Sequence, residues 1–172
     1  MRPLCRPALL LVAFSLPSVL FAQQRSIEIG LDGGVQYAFD ADLLTIAVPF
    51  QRVRAAFPSG HRLAFEPALS FTRLSSGGAS LAALVIQVGA LYDLDATRTS
   101  TYARPFAGIE YADASFSDAE TVFDLGIGFG TRSRVAEQLA LRIEATLTGR
   151  FGQSGGADGV LGATIGLSFF TR

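Results

Sequence analysis

The last stretch of the chain, GVLGATIGLSFFTR at Gly159–Arg172, alternates between two kinds of residue. Apolar residues occupy every second position from Leu161 to Phe169, and Gly, Thr or Ser fill the positions between them. Because side chains two residues apart point to the same face of a β-strand, this period predicts a strand with one apolar face and one small, polar face. The stretch decides the fold because the chain before it repeats the same pattern.

Alternation of this kind recurs in eight segments after Ser26, each about ten residues long and followed by turn-forming residues. The predicted turns are DADL, PSGHR, SSGGAS, DATRTS, ADASFSDAE, RSRVAEQ and GQSGGADG, with ADASFSDAE as the longest polar loop. Pro49 predicts a bulge or kink in the second segment, since proline cannot donate to a strand ladder. Eight segments with hairpin-length connections predict an all-β protein, an eight-stranded antiparallel up-and-down β-barrel.

The composition of the two faces indicates which one is inside. Glycine recurs on the non-apolar faces, at Gly30, Gly34, Gly89, Gly108, Gly126, Gly128, Gly162 and Gly166. Glycine weakens an exposed strand, whereas the narrow interior of an eight-stranded barrel requires small residues. The apolar faces then meet lipid, and aromatic residues near segment ends suit interfacial girdles: Tyr37, Tyr92, Tyr111 and Phe151. The pattern favours a transmembrane barrel, and a soluble, secreted ligand-binding barrel is the structural alternative.

Charged residues share the non-apolar faces with the glycines. The candidates for ion pairs in the lumen are Glu66, Arg104, Glu110, Asp124, Arg142, Glu144 and Arg150. Paired carboxylates also serve acid–base chemistry. An isolated buried charge is costly, however, so a lumen that holds both signs favours an ion-pair plug over a catalytic site.

No other motif predicts a catalytic, cofactor-binding or metal-binding site. His61 is the only histidine, and it falls in a predicted turn without a recognisable triad around it. The glycines of GIGFG, at Gly126–Gly130, repeat every second residue within a strand and precede no helix, which disfavours a nucleotide loop. The acidic residues of ADASFSDAE do not have EF-hand spacing. We therefore expect no enzyme activity and no cofactor.

The first 22 residues have the features of a secretory signal peptide. Arg2 and Arg6 precede an apolar run that ends at Leu20, and Ala22 offers a small residue for cleavage. The run is about 14 residues long, whereas a transmembrane helix needs about 20. We thus expect a barrel domain over residues 23–172. Removing the peptide, which also holds Cys5, leaves 12 basic against 15 acidic residues, a balance that disfavours nucleic-acid binding.

Four further stretches carry a family resemblance: IAVPFQRVRAAF, LAFEPALSF, ARPFAGI and the closing GLSFF. With the eight alternating segments, they make Ser26–Arg172 resemble the small bacterial outer-membrane β-barrel domain proteins, the OmpA-like/OmpW-like group, and in particular its uncharacterised members. The resemblance implies export to the outer membrane, contact with its lipid, and insertion by the barrel assembly machinery. That machinery recognises an aromatic residue at the end of the last strand. Phe169 and Phe170 supply it here, although Thr171 and Arg172 follow.

These observations lead to one expected function and three alternatives. We expect a structural or envelope-maintenance protein without catalysis, with a polar, occluded lumen. The alternatives are a narrow channel for small solutes or apolar molecules, an enzyme acting on lipids, and the soluble binding barrel. A periplasmic N-terminus would place DADL, SSGGAS, ADASFSDAE and GQSGGADG outside the cell and the other three turns in the periplasm.

Overall fold

A computed structural model describes residues 26–39, 43–76, 79–95, 99–114, 117–152 and 157–171. The predicted signal peptide, Cys5 and Arg172 lie outside the described residues. Within these ranges, no helix is long and apolar enough to cross a bilayer.

Eight antiparallel strands form a closed barrel in chain order. They are β1 (Glu28–Ala38), β2 (Leu43–Pro58), β3 (Leu63–Ser76), β4 (Ala79–Asp93), β5 (Thr99–Ala114), β6 (Ser117–Ala136), β7 (Leu139–Gly152) and β8 (Ala157–Phe170). Each strand pairs with the next, and β8 pairs with β1 to close the sheet. The predicted all-β, eight-stranded up-and-down barrel is confirmed.

Three of the predicted turns are largely strand, including SSGGAS, in which Ser75 pairs with Ser80 and Ser76 pairs with Ala79. Most of ADASFSDAE pairs, because β5 continues to Ala114 and β6 begins at Ser117. β6 also continues through most of RSRVAEQ to Ala136, so the turn there consists of Glu137 and Gln138. The prediction of a long loop was wrong because the two faces of a strand no longer differ in polarity at the barrel ends, although backbone pairing continues there.

The ladder between β1 and β2 contains an irregularity where Pro49 predicts one. Arg52 pairs with Asp32 and Ala47 pairs with Gly34, so β2 spans five positions where β1 spans two. Such extra residues bend a strand and change which face the following side chains occupy.

The bulge reverses the alternation of β2. Before it, Ile46 is exposed on the outer surface, and after it Val53 takes that surface. Arg52 and Arg54 therefore lie on the inner face, although uninterrupted alternation from Ile46 would place both outside.

The distribution of polarity is the reverse of that in a water-soluble protein. The outer surface is apolar along every strand, with exposed residues such as Leu125, Ile143 and Ile165. The side chains that are almost fully buried are mainly charged or polar, among them Arg54 and Glu66. The barrel thus has a charged core and an apolar outer surface.

Candidate functional site

Glycines on the inner faces make space for long charged side chains on neighbouring strands. A Cβ at Gly30 would overlap the guanidinium of Arg54. A Cβ at Gly128 would lie 2.9 Å from the Glu144 carboxyl carbon. Because the space beside these glycines is already filled, the small residues predicted for the lumen are needed to admit the charges.

We expect Gly126→Ala to destabilise the barrel by about 1–3 kcal/mol, the usual effect of overpacking. The added Cβ would overlap the Phe106 ring and lie 2.7 Å from the backbone oxygen of Leu147, which cannot move aside easily. Urea unfolding of the refolded protein in detergent micelles measures the change. Gly60→Ala is the control, since its Cβ would meet only Leu63 Cβ at 3.9 Å. Equal stability of the two variants would contradict the packing described here.

Arg142 of β7 is the centre of the charged core. Its Nη1 donates to Glu66 Oε2 of β3 at 2.5 Å, and its Nη2 donates to Glu144 Oε2 at 2.5 Å. Its Nε donates to the Tyr102 hydroxyl at 2.5 Å, and that hydroxyl donates to Glu144 Oε2 at 3.0 Å. Every donor nitrogen of Arg142 thus has an acceptor, as a buried guanidinium requires.

Arg104 of β5 binds the opposite side of Glu144. Its Nη2 donates to Glu144 Oε1 at 2.6 Å, and its Nε lies 3.5 Å from Glu66 Oε1. The guanidinium also stacks on the Phe106 ring, 4.5 Å from the centroid. Four of the seven predicted lumen residues therefore meet at the centre of the barrel.

The core continues from this centre toward the chain termini. Arg54 of β2 donates to Asp32 at 3.0 Å, to Glu28 at 2.6 Å and to Ser168 at 2.6 Å. Arg132 of β6 joins Glu28 at 2.5 Å and the carboxylate of Asp93 at 3.0 Å. Arg54 Nη1 also lies 3.7 Å from Glu66 Oε2, so these contacts connect side chains from all eight strands into one network.

The remaining three predicted residues form a separate cluster near the opposite end of the barrel. Arg150 donates to Glu110, and its Nε lies 3.6 Å from Asp124 Oδ1. This cluster is more open than the central network, since the Arg150 side chain is 30% exposed.

A vestibule of about 450 Å³ opens at the end of the barrel that holds the termini. His61 lies there in the β2–β3 turn, together with Arg62. Glu28, Asp93 and Arg132 form the inner part of its lining. Across the described residues, no group of three or more His, Cys, Asp or Glu is arranged to hold a metal ion.

Comparisons with known proteins give fold matches and no sequence family. No family model matches the chain, and no curated protein matches it. Neisserial surface protein A has a TM-score of 0.63 at 12% identity, covering 85% of this chain and 96% of that one. The chain has the fold of the small bacterial outer-membrane β-barrels.

Two other structures share this outer-membrane barrel fold. The N-terminal β-barrel domain of Pseudomonas aeruginosa OprF has a TM-score of 0.51 at 18% identity and covers 85% of this chain and 98% of its own. Ail, the attachment invasion locus protein of Yersinia pestis, has a TM-score of 0.53 at 15% identity in its complex with the heparin analogue sucrose octasulfate, with 85% and 97% covered.

The seven predicted candidates leave out several members of this barrel's charged network, among them Arg52, Arg54, Tyr102 and Arg132. Arg52 and Arg54 follow the β2 bulge, so strict alternation gives them the wrong face. Tyr102 shares a face with Arg104, two residues away, which is a signal that could have been used. Arg132 belongs to a stretch predicted as a turn that is strand in the structure.

Proposed function

We propose that this chain is an integral outer-membrane protein with a structural role in the cell envelope, no catalytic activity, and a lumen closed by its charged network. The observation that carries the proposal is the reversed polarity of the barrel. The proposal also includes an export signal in the first 22 residues. It further assigns β8, with exposed Phe169 near its end, as the strand that the assembly machinery recognises.

Lipid is the solvent that suits the outer surface. Soluble monomers rarely expose a continuous apolar surface larger than a few hundred Å². Here apolar side chains are exposed on every strand, including Ile165 at 52% and Leu147 at 54%. A soluble binding barrel would instead place such residues in its interior, where this chain holds Arg54, Glu66 and Arg142.

The central network supports a closed lumen. Arg142 extends from β7 to Glu66 on β3, and Arg104 extends from β5 to Glu144 on β7, so the contacts cross the interior. Ion flow would require these buried pairs to separate, which is costly in the absence of competing water. A structural barrel is therefore favoured over the narrow channel.

The arrangement of His61 argues against catalysis. It is exposed in the β2–β3 turn at the rim, whereas Glu66 and Glu144 are held by arginines in the centre. A carboxylate fixed between guanidiniums is a poor general base, since the neighbouring positive charges stabilise its ionised form.

We expect the protein to fractionate with outer membranes, to migrate differently before and after boiling, and to show no conductance steps in planar bilayers. The mobility difference reports a closed barrel that resists detergent, and the conductance measurement reports the lumen. Recovery in the soluble fraction with no mobility difference would overturn membrane insertion. Discrete conductance steps from heat-modifiable protein would overturn the closed lumen alone and favour the channel.

A further inference from the structure

The vestibule at the end of the barrel that holds the termini is closed on its inner side by ion pairs. Arg132 donates to Glu28 Oε2 at 2.5 Å and to the Asp93 carboxylate at 3.0 Å. Glu28 also accepts from Arg54 at 2.6 Å, deeper in the barrel. The vestibule is therefore a blind cavity with one mouth. Its volume of about 450 Å³ lies within the range of small-molecule sites, which is roughly 300–1,000 Å³.

The charges of the vestibule lining do not balance. Three arginines and two carboxylates line the cavity, and both carboxylates, Glu28 and Asp93, already bind Arg132. Arg62 lies in the exposed β2–β3 turn beside His61, and its side chain has no hydrogen bond or ion pair with any described residue. The mouth of the vestibule therefore carries a guanidinium whose charge no carboxylate of the lining compensates.

Apolar side chains form much of the remaining wall. Pro58 ends β2, Leu63 begins β3, and Phe170 at the end of β8 also lines the cavity. The guanidinium carbons of Arg132 and Arg134 lie 5.9 Å and 4.8 Å from the centroid of the Phe170 ring. Such cation–π contacts stabilise the position of an aromatic ring. The wall thus presents an ordered apolar surface next to the charged mouth.

These features select a ligand by charge and by polarity. A guanidinium recognises a carboxylate through two parallel N–H···O bonds, so the mouth favours an anion. A cation would find no available carboxylate in the lining, since Arg132 holds both of them. The apolar wall favours a group that gains free energy by leaving water. A molecule with one carboxylate and a compact apolar body therefore fits both parts of the vestibule.

We propose that the vestibule binds a small, soluble carboxylic acid, whose carboxylate contacts Arg62 and whose apolar body packs against Leu63 and Phe170. This binding site adds to the structural role proposed above and does not depend on it, because the ligand enters from water through the exposed mouth. Conductance is not required either, since the ion pairs of Arg132 close the inner end of the cavity.

His61 is a natural probe of the vestibule, because it lines the cavity and is the only histidine in the chain. In untagged protein with isotope-labelled histidine, refolded in detergent micelles, a single imidazole NMR signal reports binding at constant pH. We expect N-acetylphenylalanine to shift this signal until the site is saturated. N-acetylphenylalanine amide has the same ring without the charge, and should bind about ten-fold more weakly, as the loss of a charge-assisted hydrogen bond predicts.

Arg62→Gln should lower the affinity for N-acetylphenylalanine about ten-fold, whereas Arg150→Gln, near the opposite end of the barrel, should leave it unchanged. The mobility difference before and after boiling verifies that each variant is folded. Equal affinities for the acid and the amide would overturn the proposal, as would an unchanged affinity in Arg62→Gln. A His61 signal that neither compound shifts would also overturn it. Membrane insertion is tested separately by fractionation, so the two failures are distinguishable.

Discussion

Arg142→Met will destabilise the barrel by about 3–5 kcal/mol, the usual result of removing one partner from a buried ion pair. Methionine fills much of the same volume, so the loss measures charge and hydrogen bonding more than packing. Glu66 would lose its two hydrogen bonds, and Tyr102 would lose the donor to its hydroxyl. Glu144 would keep Arg104. Equilibrium unfolding by guanidinium chloride in detergent micelles measures the effect.

Arg150→Met is the matched control for this variant. The Arg150 side chain is 30% exposed and pairs with Glu110 near the end of the barrel opposite the termini. The expected loss of stability is therefore about 1 kcal/mol or less. Adding Glu66→Gln to Arg142→Met removes the carboxylate charge that loses its Arg142 partner, and should recover part of the stability. Similar losses for Arg142→Met and Arg150→Met would show that the central network is no more important than a surface pair.

The second large effect is expected on the outer surface, where Ile165→Arg should cost about 2–4 kcal/mol in a bilayer. Ile165 lies midway along β8, paired with Ile143 on β7 and Gly33 on β1. An arginine there would face hydrocarbon at a depth from which its head reaches water with difficulty. Unfolding of the protein inserted in lipid vesicles gives the free-energy change.

The expected cost depends on depth, so a second position supplies the control. Phe151 lies near the far end of β7, and Phe151→Arg should cost about 1 kcal/mol or less. In a water-soluble barrel, arginine would be tolerated at both positions because each side chain would face solvent. A negligible cost for Ile165→Arg would therefore contradict the membrane-facing surface and revive the soluble alternative.

The sequence predicts the number of strands and, for most of them, which face is inside. β8 is the clearest case, because Leu161 and Ile165 are exposed while Gly162 and Gly166 are buried, as the alternation requires. A period-two pattern predicts the two faces of a strand well, since the polarity of each residue reflects whether its side chain faces lipid or the lumen. They encode strand ends poorly, and so the extension of β6 through Arg132 to Ala136 was missed.

The β2 bulge shows where local pattern fails. Pro49 signals an irregularity, but the number of extra residues depends on how β1 and β2 pair. That number decides whether Arg52 and Arg54 face lipid or lumen. The partners inside the lumen depend on strand register as well, so the contacts of Arg142 with Glu66 and of Arg104 with Glu144 cannot be deduced from one chain.

The central network also has a consequence for the order of events during folding. Its contacts join residues far apart in sequence: 76 positions separate Arg142 from Glu66, 104 separate Arg132 from Glu28, and 114 separate Arg54 from Ser168. Contacts of such separation form slowly, because the chain between them must already be placed. The bond from Arg54 to Ser168 requires β8 to have reached the first hairpin. We therefore expect the network to form late in folding, and to slow the opening of the finished barrel more than it guides assembly.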